Sequence, residues 1–141
     1  VVVPPRVIVL EIRPYSPEDK SEIERIHRTQ GFDYTLPDLD QPLFFIKLVG
    51  EEDGRIINAA FAHLTAEIYY MAEPTTGTPR QRMGNFLAME DLFCKVAYVK
   101  GGLSDLHAWL PPQIEKAFGR RLMRLGWRRP LWTDFCKDLQ G

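Results

Sequence analysis

A strand that runs into a polar loop and then into a long helix is the part of this chain that leaves the fewest folds open. Residues 67–102 read EIYYMAEPTTGTPRQRMGNFLAMEDLFCKVAYVKGG. Tyr69, Tyr70 and Met71 lie in a β-prone run that Pro74 ends. Gly77 and Pro79 break the polar stretch that follows, Thr75 to Gln81. A helix over 84–100 comes next: Phe86, Met89, Leu92, Phe93, Val96 and Val99 recur at three- and four-residue spacing, which places them on one face. Gly101 and Gly102 stop it. A helix start presents open N–H groups and a partial positive charge, so a strand–loop–helix unit suits an anion. Arg80, Gln81, Arg82, Gly84 and Asn85 lie at that start. The same residues also suit a surface loop with two solvated arginines.

The rest of the chain supplies further elements. Val7 to Ile12 reads as a strand ended by Arg13-Pro14. Ser16-Pro17-Glu18-Asp19 reads as a helix start, with Ser16 as N-cap and Pro17 in the first turn of a helix over 17–29. Ile23 and Ile26 give it a thin apolar stripe bordered by His27. Residues 31–41 form a loop carrying Asp33, Asp38 and Asp40 beside Phe32 and Tyr34; it can line a pocket or serve as a surface connection. Strands over 43–49 and 55–64 flank Asp53-Gly54, the dipeptide that tight hairpins favour. Leu106 to Leu110 is a short strand closed by Pro111-Pro112. A helix over 113–125 buries Ile114, Phe118, Leu122 and Leu125 and is capped by Gly126. Leu131 to Phe135 is a last strand. The order β-α-β-β-β-α-β-α-β predicts an α/β or α+β domain with helices on both faces of one mixed central sheet of six or seven strands. Residues 67–72 and 106–110 are expected side by side, splaying at their C-terminal ends. One domain over 1–141 is the expectation for this length.

Composition narrows the partners. With 18 basic and 19 acidic residues the net charge is −1, so the protein's field does not draw in nucleic acid or an anionic membrane. No apolar run reaches the roughly 20 residues of a membrane span, and VVVPP lacks the basic flank of a signal peptide. Cys94 and Cys136 have no metal-ligand spacing and read as buried free thiols in a reducing cytoplasm. No metal is expected.

Several local sequences resemble the GNAT superfamily, the Gcn5-related N-acetyltransferases. Ile12-Arg13-Pro14 with Pro17-Glu18-Asp19 looks like that family's first strand and helix start. Gly54-Arg55-Ile56-Ile57 with Ala59-Ala60 looks like its hairpin, and Arg124-Leu125-Gly126-Trp127 like the end of its closing helix. Gln81, Gly84 and Phe86 stand at the three positions of its Gln/Arg-x-x-Gly-x-Gly/Ala pyrophosphate loop, with Phe86 where a small residue is usual. Two other family positions differ: Pro111-Pro112-Gln113-Ile114-Glu115 replaces an asparagine region, and Leu122 stands where a tyrosine often reprotonates the coenzyme A thiolate.

The resemblance implies a GNAT-like acyl-CoA N-acyltransferase fold. It implies acetyl-CoA as cosubstrate and a small-molecule or peptide primary amine as acceptor. Coenzyme contacts are then expected at Met71, Arg80, Gln81, Arg82, Gly84 and Asn85, and a homodimer is compatible with this family. Glu67 is the candidate general base, because some of these enzymes carry a glutamate at the start of the central strand; His63 is the second candidate. Both also suit structural roles, as a solvated strand-end carboxylate and a packed histidine. Ser104, Asp105 and His107 hold the residue types of a hydrolytic triad but stand too close in sequence for its geometry. Arg120, Arg121, Arg124, Arg128 and Arg129 form a solvated basic face or a site for the adenosine 3′-phosphate. The alternative to an enzyme is a GNAT-fold module whose coenzyme site has decayed and which binds a small ligand or a protein partner.

Overall fold

Asp53 and Gly54 both adopt positive φ, 51° and 76°, the signature of a two-residue hairpin turn. The turn joins β2 (Phe44–Glu52) to β3 (Arg55–His63). β1 (Glu11–Pro14) pairs antiparallel with the other edge of β2, so the order is β1-β2-β3. The computed structural model describes residues 2–4 and 10–140. Residues 7–9 of the expected first strand therefore lie outside the described residues.

Gly31, at φ 73°, ends α1 (Lys20–Gln30), which packs on β3. A short 3-10 turn, Pro17–Asp19, leads into the helix, as the Ser16-Pro17 start anticipates. Together they bury Ile23, Leu39, Phe44, Val49 and Ile56, with Tyr15, Ile26, Leu36 and Phe61 packed around them. Leu39 belongs to the 31–41 loop, so that loop contributes to the core. His27 is half-buried, its ring edge-on to Tyr34 at 4.7 Å.

One buried carboxylate ties three elements of this layer together. Asp19 receives two hydrogen bonds from the Arg13 guanidinium, at 2.8 Å each, and a third from the Ser16 backbone N–H at 2.8 Å. Arg13 also donates to Glu51 of β2 at 2.7 and 3.0 Å. The Arg13 bonds hold the Asp19 carboxyl below its ordinary 3.8, against the opposing effect of burial. Its folded pKa is depressed, so its contribution to stability is present above about 3.8 and lost as pH falls through the folded value. Asp19→Asn is expected to flatten that acid limb of the unfolding curve, measured by circular dichroism between pH 2 and 5; an unchanged limb would assign acid sensitivity to other carboxylates.

The remaining elements are β4 (Ala66–Glu67), α2 (Pro79–Val99), β5 (Leu106–His107) and α3 (Pro112–Arg124). The chain divides into two compact units: residues up to 66 with 71–106, and residues 67–70 with those from 107 on. The fold is α+β, with two sheets in place of one. β4 and β5 form a separate two-stranded ladder, so they neighbour each other as expected but do not extend the three-stranded sheet. The expected strand at Tyr69–Met71 is irregular backbone, and 131–135 is also irregular, with Leu131 and Phe135 more than nine-tenths exposed. Strand propensity needs a free edge to become a strand, and neither segment has a ladder partner among the described residues.

α2 starts five residues earlier than its apolar periodicity indicates. Of the stripe expected to be buried, only Phe86 is; Met89, Leu92, Val96 and Val99 are 43–76% exposed. Periodicity identifies a face but not the surface that covers it, and α2 makes no packing with β1–β3 comparable to that of α1. In α3, Leu122 is buried and Phe118 half-buried, whereas Ile114 and Leu125 are exposed. Gly126, at φ 93°, closes α3: Trp127 N–H donates to Leu122 O and Gly126 N–H to Met123 O, the paired bonds of a Schellman motif.

Candidate functional site

The two-stranded ladder determines where Glu67 stands. Ile68 N–H donates to His107 O at 2.8 Å. In a parallel pair that bond makes Glu67 and His107 neighbours across the strands, with side chains on the same side. Tyr69 and Trp109 follow in irregular backbone, beyond the ends of β4 and β5. Each lies near the strand residue two positions before it. The Glu67 carboxylate raises the Tyr69 phenol's pKa, first as a hydrogen-bond acceptor and then by its charge. The His107 ring stacks on Trp109, 5.5 Å between centroids at 24°. An acid and an imidazole thus stand side by side on the ladder, with a phenol near the first and an indole stacked on the second. Glu67, Tyr69 and Trp109 are exposed and His107 is half-buried.

His107 was visible in the sequence only as part of an implausible triad. Its pairing with Glu67 spans 40 positions, and local spacing carries no trace of that. Asp105, two residues before it, accepts from the Thr65 hydroxyl at 2.8 Å. His63 ends β3 half-buried, its ring edge-on to Phe44 at 4.9 Å, the environment of a packing histidine. Met71 lies in irregular backbone and is 89% exposed.

The residues expected at an anion-binding loop occupy the first turns of α2. Thr78 is its N-cap, and with Gln81 it forms a reciprocal capping box. Gln81 N–H donates to Thr78 Oγ1 at 3.1 Å, and Thr78 N–H to Gln81 Oε1 at 2.8 Å. The Thr78-x-x-Gln81 spacing with Pro79 at the first helical position is legible in the sequence, and it accounts for the early start. Arg82 N–H donates to Thr78 O at 3.0 Å. Pro79 has no N–H, so the open amide of this first turn, among the described residues, is that of Arg80.

The side chain of Arg82 turns back, donating to Gly77 O at 2.7 Å and Thr76 O at 3.4 Å. Gly77 has φ 70°, and a Cβ there would meet Gln81 Oε1 at 2.8 Å, so the loop closes on itself tightly. Arg80 and Asn85 are exposed, and a Cβ at Gly84 would meet open space.

Several other charged groups are paired within the fold. A polar recess of about 460 Å³ is lined by Arg13, Asp19, Glu22, Arg25, Glu51 and Arg55 among others; Arg13 pairs with Asp19 and Glu51, and Arg25 with Glu22. In the basic group near the C-terminus, Arg129 pairs with Glu115 at 3.1 Å. The cysteines are not both buried: Cys136 is exposed, while half-burial and then Glu90 push the Cys94 thiol up to about 11. Among the described residues no group of three or more His, Cys, Asp or Glu side chains is placed to hold a metal ion, and no helix is long and apolar enough to cross a membrane. Comparison with protein-family models, with curated proteins and with solved structures yields no match to this chain.

Proposed function

We propose that the protein is an acyl-CoA-dependent N-acyltransferase of the GNAT type, moving an acetyl group from acetyl-CoA to a primary amine. The observation that carries the reading is the β4–β5 ladder, which sets the exposed Glu67 carboxylate beside His107. In the reaction the amine nitrogen attacks the thioester carbonyl, its proton passes to Glu67 directly or through water, and the C–S bond breaks to release the coenzyme A thiolate. Arg80, the Arg80 amide and Arg82 supply charge and a donor for the phosphates. Leu122 has no proton to give the thiolate, so water serves as that acid.

The assay is release of free thiol from acetyl-CoA in the presence of a panel of primary amines. Amine-dependent release supports transfer; no release with any amine contradicts it. A double Arg80→Ala, Arg82→Ala variant is expected to weaken acetyl-CoA binding at least about tenfold, since each ordered charge-assisted contact contributes roughly 1.5–3 kcal/mol. Equilibrium dialysis measures it, and unchanged binding would mean that the loop holds no phosphate.

The second reading is a GNAT-fold module that has lost transfer and retains binding of a small ligand or a protein. The observation favouring it is that Gln81 and Arg82 spend their hydrogen bonds within their own loop, while Phe86 fills the third motif position as a buried core residue. Thiol release distinguishes the two readings.

A further inference from the structure

We infer that the chain from α3 onward is a docking surface for an anionic membrane. The inference is independent of the reading as an acyltransferase. The net charge of −1 averages two unlike parts. Residues 107–141 carry seven basic and three acidic side chains, net +4, whereas residues 1–106 carry eleven and sixteen, net −5. Charge divided in this way lets one part of a chain meet an anionic surface that its average charge does not favour.

Two features coincide in this region. Lys116, Arg120 and Arg124 recur every four residues along α3, on the side away from half-buried Phe118 and buried Leu122, and all three are exposed. In the irregular segment that follows, Leu131, Phe135 and Leu139 are nine-tenths or more exposed and Trp132 is 67% exposed. Bare aliphatic and aromatic surface on that scale marks an interaction site. The turn at Gly126 and the Arg129–Glu115 ion pair at 3.1 Å bring the start of the segment back to the first turn of α3, next to Lys116. A membrane matches both features. Aliphatic and indole side chains enter the boundary between headgroups and acyl chains, while Arg and Lys pair with the anionic headgroups above it. The irregular backbone stays in the hydrated headgroup layer, where its N–H and C=O groups keep water as a partner. Asp134 and Asp138 are exposed and stay on the water side. A nucleic acid would use the cations and stack on the aromatic rings, but it offers nothing to Leu131 and Leu139, which favours lipid.

The test is co-sedimentation of the full chain with vesicles of an equal mixture of phosphatidylcholine and phosphatidylserine, and with vesicles of phosphatidylcholine alone. Binding is expected to be saturable and at least about tenfold tighter to the anionic vesicles. Arg120→Ala combined with Arg124→Ala is expected to weaken it about 25-fold, roughly fivefold for each cation removed. Leu131→Asn combined with Leu139→Asn keeps the charge and is expected to weaken it at least about tenfold, through the lost apolar burial. All four residues are exposed, so both variants are expected to keep the fold, and an unchanged circular dichroism spectrum and unfolding midpoint check this. Equal binding to both kinds of vesicle, no binding to either, or insensitivity to either pair of substitutions would each overturn the assignment. Tighter binding to a single-stranded oligonucleotide than to the anionic vesicles would overturn it too, in favour of a nucleic acid.

Discussion

Glu67→Gln is expected to lower the turnover of amine acetylation by about 10²–10⁴-fold, the usual contribution of a positioned general base. The substitution keeps the side chain's shape and removes its basicity. Aliphatic amines have pKa values near 10.4, so at pH 7 fewer than roughly one in a thousand is neutral and able to attack. The base matters most where neutral amine is scarcest. The loss should therefore be greatest at low pH and shrink as pH approaches the amine's own pKa. A pH–rate profile of the two proteins with the same amine reads this directly. Parallel profiles, displaced by a constant factor, would mean that Glu67 attracts the cation without taking its proton.

Ile56→Ala is expected to destabilise the protein by about 2–5 kcal/mol, the range for truncating a buried Ile. Ile56 is the second residue of β3 and is 4% exposed, in the cluster with Ile23, Leu39, Phe44 and Val49. That cluster joins α1, the 31–41 loop and the sheet, so a cavity there weakens all three at once. In urea the midpoint should fall by at least about 1 M. Ile57, the next residue, is 43% exposed and provides the control. Its truncation is expected to cost under about 1 kcal/mol. Similar losses at both positions would mean that the burial pattern of β3 is out of register.

Where local chemistry dictated structure, the sequence was readable. Asp53-Gly54 fixed the hairpin because few dipeptides accept two positive φ values. Gly126 marked a helix end for the same reason. Pro17 marked a helix start; Pro79, which reads as a loop breaker before a helix at 84, in fact opens α2 inside the Thr78–Gln81 box. What could not be read was partnership across the chain. Nothing in residues 66–72 says that pairing stops after two residues, or that β3 remains an edge. The apolar positions of α2 are as apolar as those of α1, but only α1 lies on a strand layer that buries them.

The candidate site follows the same rule. Glu67 and Tyr69 lie close to each other two residues apart, which local spacing predicts, although β4 ends at Glu67. His107 and Trp109 join them through a ladder between segments some 40 residues apart, which spacing does not predict. The expected anion loop has a competing internal use. Gln81 and Arg82 have the right chemistry for phosphate, but the same groups satisfy their own helix start and the carbonyls of Gly77 and Thr76. A polar side chain near a helix N-terminus has an internal use competing with any ligand.

Calorimetric titration of the full chain with acetyl-CoA tests the central claim most directly. The reading as an acyl-CoA-dependent transferase predicts one saturable site with a Kd below about 1 mM, a binding free energy of at least about 4 kcal/mol. An isotherm with no saturable heat at millimolar acetyl-CoA would contradict it.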